Sequence, residues 1–265
     1  MNILDKIVRY KKKEVIGARI IVPVSELEQM YFFNRKTIPL TEFLISDNRT
    51  GIIAEFKRKS PSKGIINDQS TIKEVTKGYN LNGASALSVL TDHNFFGGSV
   101  EDLLAARKVN QIPILRKEFI IDEYQIYEAK AIGADVILLI AAILDKKTVK
   151  KFARKAKELN LQVLFEIHEE NELDLLNEYI DIIGVNNRNL KNFIVDLNQS
   201  AKMAEKIPGD ILKISESGIS SPDDILFLRK HGYNGFLIGE NFMKTDNPVT
   251  AFANFVESLQ ITEQL

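Results

Sequence analysis

The sequence predicts an α/β fold, a closed (β/α)8 TIM barrel with an N-terminal helical extension, on three observations. Short apolar runs recur along the chain, many of them nearly unbroken Ile, Val, Leu and Phe, as parallel strands covered on both faces require. Charged segments long enough for helices separate the runs, and parallel neighbours need such crossovers. The 265 residues fit the usual length of one barrel, so the chain is read as a single domain over 1–265, of which about 1–48 is the extension. Eight βα units make closure the leading solution, and a doubly wound open sheet is the competing one.

The start, MNILDKIVRYKKKEV, reads as an amphipathic helix: charges interrupt each apolar stretch, so the apolar centre of a signal peptide is missing. Lys11, Lys12 and Lys13 read as one solvated helix face. The extension is expected either to cover the barrel bottom or to border the mouth of the active site. Strand-like runs follow at IIAEFK (52–57), ALSVLT (86–91), IPILRKEF (112–119), DVILLI (135–140), LQVLFEI (161–167), YIDIIGVN (179–186), DILKISES (210–217) and GFLIGE (235–240). Between them, STIKEVTKGY, DEYQIYEAKAIG, DKKTVKKFARKAKEL and SPDDILFLRKHG read as helices. In the last, Ser221 caps the start, Pro222 fits the first turn, Asp224 completes a capping box and Gly232 supplies the exit.

Composition narrows the function. With 45% hydrophobic and 27% charged residues the chain can bury a core unaided. Its 35 basic and 36 acidic residues leave a formal net charge of -1, which gives no global attraction to nucleic acid or to an anionic membrane. No run approaches the roughly 18 apolar residues of a membrane-spanning helix. Without cysteine there is no disulfide or thiolate metal site, which suits a reducing cytoplasm. The three histidines, His93, His168 and His231, have no HxH or HExxH spacing; they read in turn as a loop residue, a strand-end or surface residue and a helix-end residue.

Polar residues gather at the later ends of the runs, where barrels carry their active sites. Glu55 and Lys57, two positions apart, share one face of a strand and form either a structural ion pair or a catalytic one. The loop RKSPSKG (58–64) offers the hydroxyls of Ser60 and Ser62, the charge of Lys63 and a turn at Gly64; it is an ordinary exposed turn or a ligand loop. Alternation puts Leu115, Lys117 and Phe119 on one side, making Lys117 an interior acid beside an aromatic wall, and leaves Arg116 with Glu118 as a structural pair on the other. Glu166 follows Leu164 and Phe165, apolar surroundings that raise a carboxyl toward proton transfer near neutral pH; a paired structural glutamate is the plainer reading.

Asn186 and Arg188 share a parity and present an amide and a planar fork suited to a carboxylate, against plainer readings as a cap and a surface salt bridge. The last two runs end in SESGIS and IGENF, where barrels commonly bring backbone amides to a phosphate. There Ser217 adds a hydroxyl, and Gly218 and Gly239 let the backbone approach closely.

In order, ILDKIV near the start, IIAEFKRKSPSKGII (52–66), ALSVLTDHNFFGGSVEDL (86–103), PILRKEFIIDEYQIYEAKAIGADVILLI (113–140), GVNNRNL (184–190) and SESGI (215–219) closely resemble the indole-3-glycerol phosphate synthase family. SESGI alone is modest evidence, whereas the ordered set is specific and spans nearly the whole chain. The resemblance implies a (β/α)8 barrel with a helical N-terminal segment. The implied reaction converts 1-(o-carboxyphenylamino)-1-deoxyribulose 5-phosphate into indole-3-glycerol phosphate, carbon dioxide and water in tryptophan biosynthesis, with no redox cofactor and no catalytic metal.

The resemblance also implies a catalytic set of Glu55, Lys57, Lys117, Glu166, Asn186 and Glu216, with Lys117 as the principal general acid. The implied substrate-binding set is Ser60, Phe119, Arg188, Ser217, Gly218, Gly239 and Glu240, with Arg188 on the anthranilate carboxylate and Ser60, Gly218 and Gly239 at the phosphate. The partner is then a small phosphorylated, anthranilate-derived substrate, not nucleic acid or membrane, and the implied state is a cytoplasmic monomer. Some relatives have Asp at Glu118 or Asn189, and many have Pro at His93; these departures spare the matched side chains. Others carry a small hydroxyl residue at Glu240, whose carboxylate must here point away from phosphate or be compensated. Two other classes compete: a lyase forming a Schiff base through Lys117 or Lys213, and a non-catalytic binder of a phosphorylated ligand.

Overall fold

All eight apolar runs form strands in the computed structural model, which describes residues 3–189 and 193–264. Leu190, the last residue of the GVNNRNL segment, lies outside the described residues. The strands are β1 (Ile52–Phe56), β2 (Ala86–Leu90), β3 (Ile114–Lys117), β4 (Val136–Ile140), β5 (Gln162–Ile167), β6 (Ile182–Asn186), β7 (Leu212–Glu216) and β8 (Gly235–Ile238). Each pairs in parallel with its neighbours, and β8 closes on β1 through Phe236 opposite Ile52 and Ile238 opposite Ala54. The open sheet is therefore excluded, and the fold is a (β/α)8 barrel with an N-terminal helical extension.

Several strands are shorter than their apolar runs. β3 ends at Lys117, and Glu118 leaves the ladder by turning its carboxylate onto the Phe119 N–H, 2.8 Å away. Helices make most crossovers, but β5 and β6 are joined by a 3-10 helix, Glu170–Leu175. The helix Pro222–Lys230 starts as expected, with Pro222 at its first turn and Ser221 and Asp224 in a reciprocal capping box. Outward strand residues pack against the surrounding helices. Inward ones, including Ile53, Ala86, Leu115, Leu138, Leu164, Ile182 and Ile214, fill the barrel itself.

The extension occupies both places expected of it. The helix Leu40–Leu44 puts Leu40 and Leu44 into the interior cluster at the barrel bottom, where Gly235 leaves room for Leu44. At the other end α1 (Ile3–Ile21) adds Ile7 to the same cluster, and Ile3, Leu4 and Ile7 line the cavity mouth. The three lysines of α1 do not share a fate. Lys12 and Lys13 are exposed, whereas Lys11 is buried against Asp92 at 2.9 Å, Glu118 at 3.0 Å and Glu14 at 2.9 Å. Burial alone would lower the Lys11 pKa, but the charges of Glu118, Asp92 and Glu14 outweigh it and raise it. Among the described residues no helix is long and apolar enough to cross a membrane.

At the bottom, fully buried Asp135 fastens the extension to the barrel. One carboxylate oxygen accepts from the Ile38 N–H at 2.7 Å and pairs with Arg35; the other accepts from the Ile114 N–H at 2.9 Å and from Arg107 at 2.7 Å. Burial pulls the Arg107 guanidinium down to about 10, with Asp135 opposing. Asp135→Ala would strand two N–H groups and a buried guanidinium. It should cost about 3–5 kcal/mol, as removal of one member of a buried ion pair does. Urea unfolding checks this, and a midpoint close to wild type would count against the fastening.

Candidate active site

Strand alternation carries the chemistry inward. Above the apolar layers the inward positions are Glu55 on β1, Lys117 on β3, Glu166 on β5, Asn186 on β6 and Glu216 on β7, and all five line one cavity of about 480 Å³. Lys57, Ser60, Phe119, Arg188, Ser217, Gly218, Gly239 and Glu240 line the same cavity. Phe119 lies beyond its strand and still reaches in, its ring centroid 5.8 Å from that of Phe96.

Lys117 is the hub. Its Nζ donates to Glu216 Oε2 at 2.6 Å and to Glu166 Oε2 at 2.8 Å. Asn186 Nδ2 donates to the other Glu166 oxygen at 3.2 Å, and Asn186 Oδ1 accepts from the Arg188 N–H at 3.0 Å. Glu55 forms a second pair: Oε1 is 2.8 Å from Lys57 Nζ, and Oε2 accepts from Ser88 Oγ at 3.2 Å.

Electrostatics separates these groups. Burial would lower the Lys117 pKa, but Glu166, Glu216 and Glu55 together outweigh burial and raise it. Glu166 is buried too, yet Lys117 and His168 hold it well below the usual carboxylate range. Glu216 goes the other way: burial pushes it up to about 7 against the pull of Lys117, helped by the charges of Glu166 and Glu55.

Room for the carboxylates comes from two glycines. A Cβ on Gly184 would collide with Glu216 Oε1, and one on Gly239 would stand 2.7 Å from Glu55 Oε1. A side chain at Gly239 thus presses first on Glu55, ahead of any ligand.

Three loops shape the mouth. After β1 the chain forms a small hairpin, Lys59 opposite Ile65 and Ser60 opposite Gly64, in which Ser60 is buried and Lys63 exposed. After β6, buried Asn187 ties the next loop down, donating to Ser215 Oγ at 2.8 Å and to the Ser217 carbonyl at 3.0 Å, and accepting from Ser200 Oγ at 2.7 Å. Ser217 and Gly218 are both left-handed, with φ of 69° and 82°, which turns the chain sharply at the rim. Glu240 is compensated: one carboxylate oxygen is 3.7 Å from Arg188 and the other 3.8 Å from Lys63.

A sequence model of the indole-3-glycerol phosphate synthase family matches residues 4–255. An indole-3-glycerol phosphate synthase of Bacteroides thetaiotaomicron is 44% identical over 262 residues, covering 98% of this chain and 99% of the relative. The chain belongs to the indole-3-glycerol phosphate synthase family. A second synthase, from Caldanaerobacter subterraneus subsp. tengcongensis, is 44% identical over 247 residues, 92% of this chain and 94% of that one. Among solved structures, a tryptophan synthase subunit alpha from Legionella pneumophila superposes with a TM-score of 0.62 at 12% identity, over 85% of this chain and 98% of that one, a likeness of fold alone. The chain is an enzyme of tryptophan biosynthesis, a carbon–carbon lyase that forms indole-3-glycerol phosphate.

Measured against the synthase motifs, some expectations need correction. Arg116 and Glu118 pair as expected, at 3.9 Å, but each also has a nearer partner: Arg116 pairs with Glu128, while Glu118 takes Lys11 at 3.0 Å and the Thr91 hydroxyl at 2.7 Å. His93 opens a short helix, His93–Phe96, in place of a loop, and His231 ends the helix Pro222–Lys230 as expected. His168 is at a strand end but turned inward, Nε2 lying 3.5 Å from Glu166 Oε1. Ser88, Asn187 and Gly184 were not singled out as site residues. Ser88 shares the inward parity of β2, and a lone glycine inside a strand, as Gly184 is, signals a close approach.

The raised Glu216 makes stability depend on pH. The folded state holds this proton more tightly than the unfolded chain, so the stabilisation is full below about 4.5 and is lost as pH rises through about 7. Glu216→Gln removes that dependence. Across this window wild type should lose on the order of 3 kcal/mol relative to the variant. Urea unfolding at successive pH values reads it, and parallel profiles would show that Glu216 ionises normally.

Proposed function

We propose that Lys117 delivers a proton to the ketose oxygen as the activated ring carbon attacks, with Glu166 as its proton-transfer partner. The observation that carries this reading is the ammonium held between Glu216 and Glu166, 2.6 and 2.8 Å away, beside the apolar wall of Phe119. A group kept charged there stabilises the developing alkoxide and has a proton to give. Carboxyls whose surroundings push their pKa values apart divide acid from base work. Glu216, pushed up, supplies an acid for the departing hydroxyl, and Glu166, held ionised and oriented by Asn186, serves as base. Glu55 with Lys57 polarises the substrate and serves the late proton transfers. Loss of carbon dioxide restores the aromatic ring between these steps.

Arg188 takes the anthranilate carboxylate through its planar fork, in exchange for Glu240. Ser60, Ser217, Gly218, Gly239 and the Glu240 backbone form the phosphate end, and holding both ends restrains a flexible substrate in its reactive fold. Imine chemistry fits less well: a Schiff base needs a free amine, whereas Lys117 is held as ammonium. Lys213 does not line the cavity and reaches the Ala204 carbonyl at 3.5 Å. The family likeness and the cysteine-free sequence support a cytoplasmic monomer; a dimer mass in light scattering would reject the monomer.

The direct test is to incubate purified protein with the carboxyphenylamino ribulose phosphate and follow indole-3-glycerol phosphate, with Lys117→Ala alongside. The variant should fold, bind product and lose about 100- to 10,000-fold in kcat, the usual range for an acid–base group. Near-normal single-turnover ring closure would remove Lys117 from the acid's role. Arg188→Ala and Arg188→Lys should both lower kcat/KM, since lysine keeps the charge and loses the fork. Wild-type values in both would place the substrate carboxylate elsewhere.

A further inference from the structure

His168 stands one residue beyond β5 and has no part in the roles above. Its backbone is fixed on both sides: the N–H donates to Glu172, and the carbonyl accepts from Gln199 Nε2 at 2.6 Å. The ring is held behind Glu166, with Nε2 3.5 Å from Glu166 Oε1 and Nδ1 4.0 Å from Glu172 Oε2. Both ring nitrogens are closed off from solvent, and neither has a hydrogen-bond partner among the described residues. Buried polar groups are ordinarily bonded, so a ring with each nitrogen turned toward a different carboxylate calls for a chemical reason.

Proton balance supplies one. The substrate carboxylate departs as neutral carbon dioxide and the ketose oxygen departs as water, while the phosphate is unchanged. Each turnover therefore consumes one proton, which solvent must provide while substrate fills the cavity. Glu166 lines that cavity and His168 does not. Behind His168, the Glu172 side chain is 15% exposed, so Glu172, His168 and Glu166 form a line from the surface to the rear of the site.

We infer that His168 is a positioning residue acting through Glu166, which it holds in place and to which it passes one proton per turnover from the Glu172 side. The inference rests on the roles proposed for Lys117 and Glu166. Glu172, which reaches the surface, passes a proton from solvent to Nδ1, where an N–H bond forms; the Nε2–H bond breaks, an O–H bond forms at Glu166 Oε1, and Glu172 is left ionised as it began. The carboxyl then turns and gives that proton to the amine of Lys117 left by ring closure. The imidazole finishes neutral and, once product leaves, regains its Nε2 proton from cavity water through Glu166 while its Nδ1 proton returns to solvent through Glu172; no electrons are transferred between groups, and solvent has lost one proton.

Three variants decide it. In His168→Ala the steady-state kcat should fall about 10- to 100-fold, the mild end of losing an acid–base group. KM should hold, and the first turnover should stay near wild type because Lys117 begins protonated. Added imidazole should restore kcat; failure to do so overturns the relay. His168→Gln keeps a hydrogen-bonding side chain without a titrating proton and should be as slow as His168→Ala, whereas wild-type turnover in it would reveal a mere prop. Glu166→Gln should be slow and indifferent to imidazole. If Glu166→Gln is slow but His168→Ala is wild type, the relay alone fails; if Glu166→Gln is itself near wild type, the reading of Glu166 beneath it fails.

Discussion

The Lys117 ammonium inside the barrel sets the terms for its neighbours. Taking an unpaired charge out of water costs several kcal/mol even after the protein relaxes. Lys117 is 15% exposed at its side chain and can remain charged only with carboxylates in contact. Glu166 and Glu216 supply them from β5 and β7, and Glu55 adds a third charge from β1. Three carboxylates crowding one ammonium would repel one another, and that repulsion, added to burial, is what keeps a proton on Glu216. The carboxylates also need volume, which Gly184 and Gly239 release on β6 and β8. One cation on β3 thus constrains residue identity on five other strands.

Much of this was legible because alternation in a strand depends on neighbouring residues alone. The pair Glu55 and Lys57, the inward turn of Lys117, and the shared parity of Asn186 and Arg188 follow from period two. What alternation leaves open is height and partner. Lys117 and Glu216 are 99 residues apart and meet only because the closed barrel brings their strand ends together. For the same reason the sequence singles out neither Ser88, within an apolar run, nor Asn187, of outward parity, although the first donates to Glu55 and the second anchors the loop carrying Ser217.

Helix geometry defeated the simplest reading of the lysine run. Adjacent residues on a helix point about 100° apart, so three lysines in a row need not share an environment. Arg116 and Glu118 illustrate the converse: shared parity put them on one side, but each found a nearer partner once β3 ended between them. Glu240, an awkward residue for an anion site on sequence grounds, becomes intelligible with Arg188 and Lys63 on either side.

Lys11 has a further consequence, in the time domain of synthesis. Its buried partners Asp92 and Glu118 are encoded far downstream, and the last is 107 residues away. At about 5–20 residues per second a ribosome takes roughly 5–20 s to supply it. During that interval α1 has no barrel to lie on, and its lysine is one more solvated charge. This helix is therefore made well before the site it docks on, and its docking at the mouth can follow only once β3 and its loop exist.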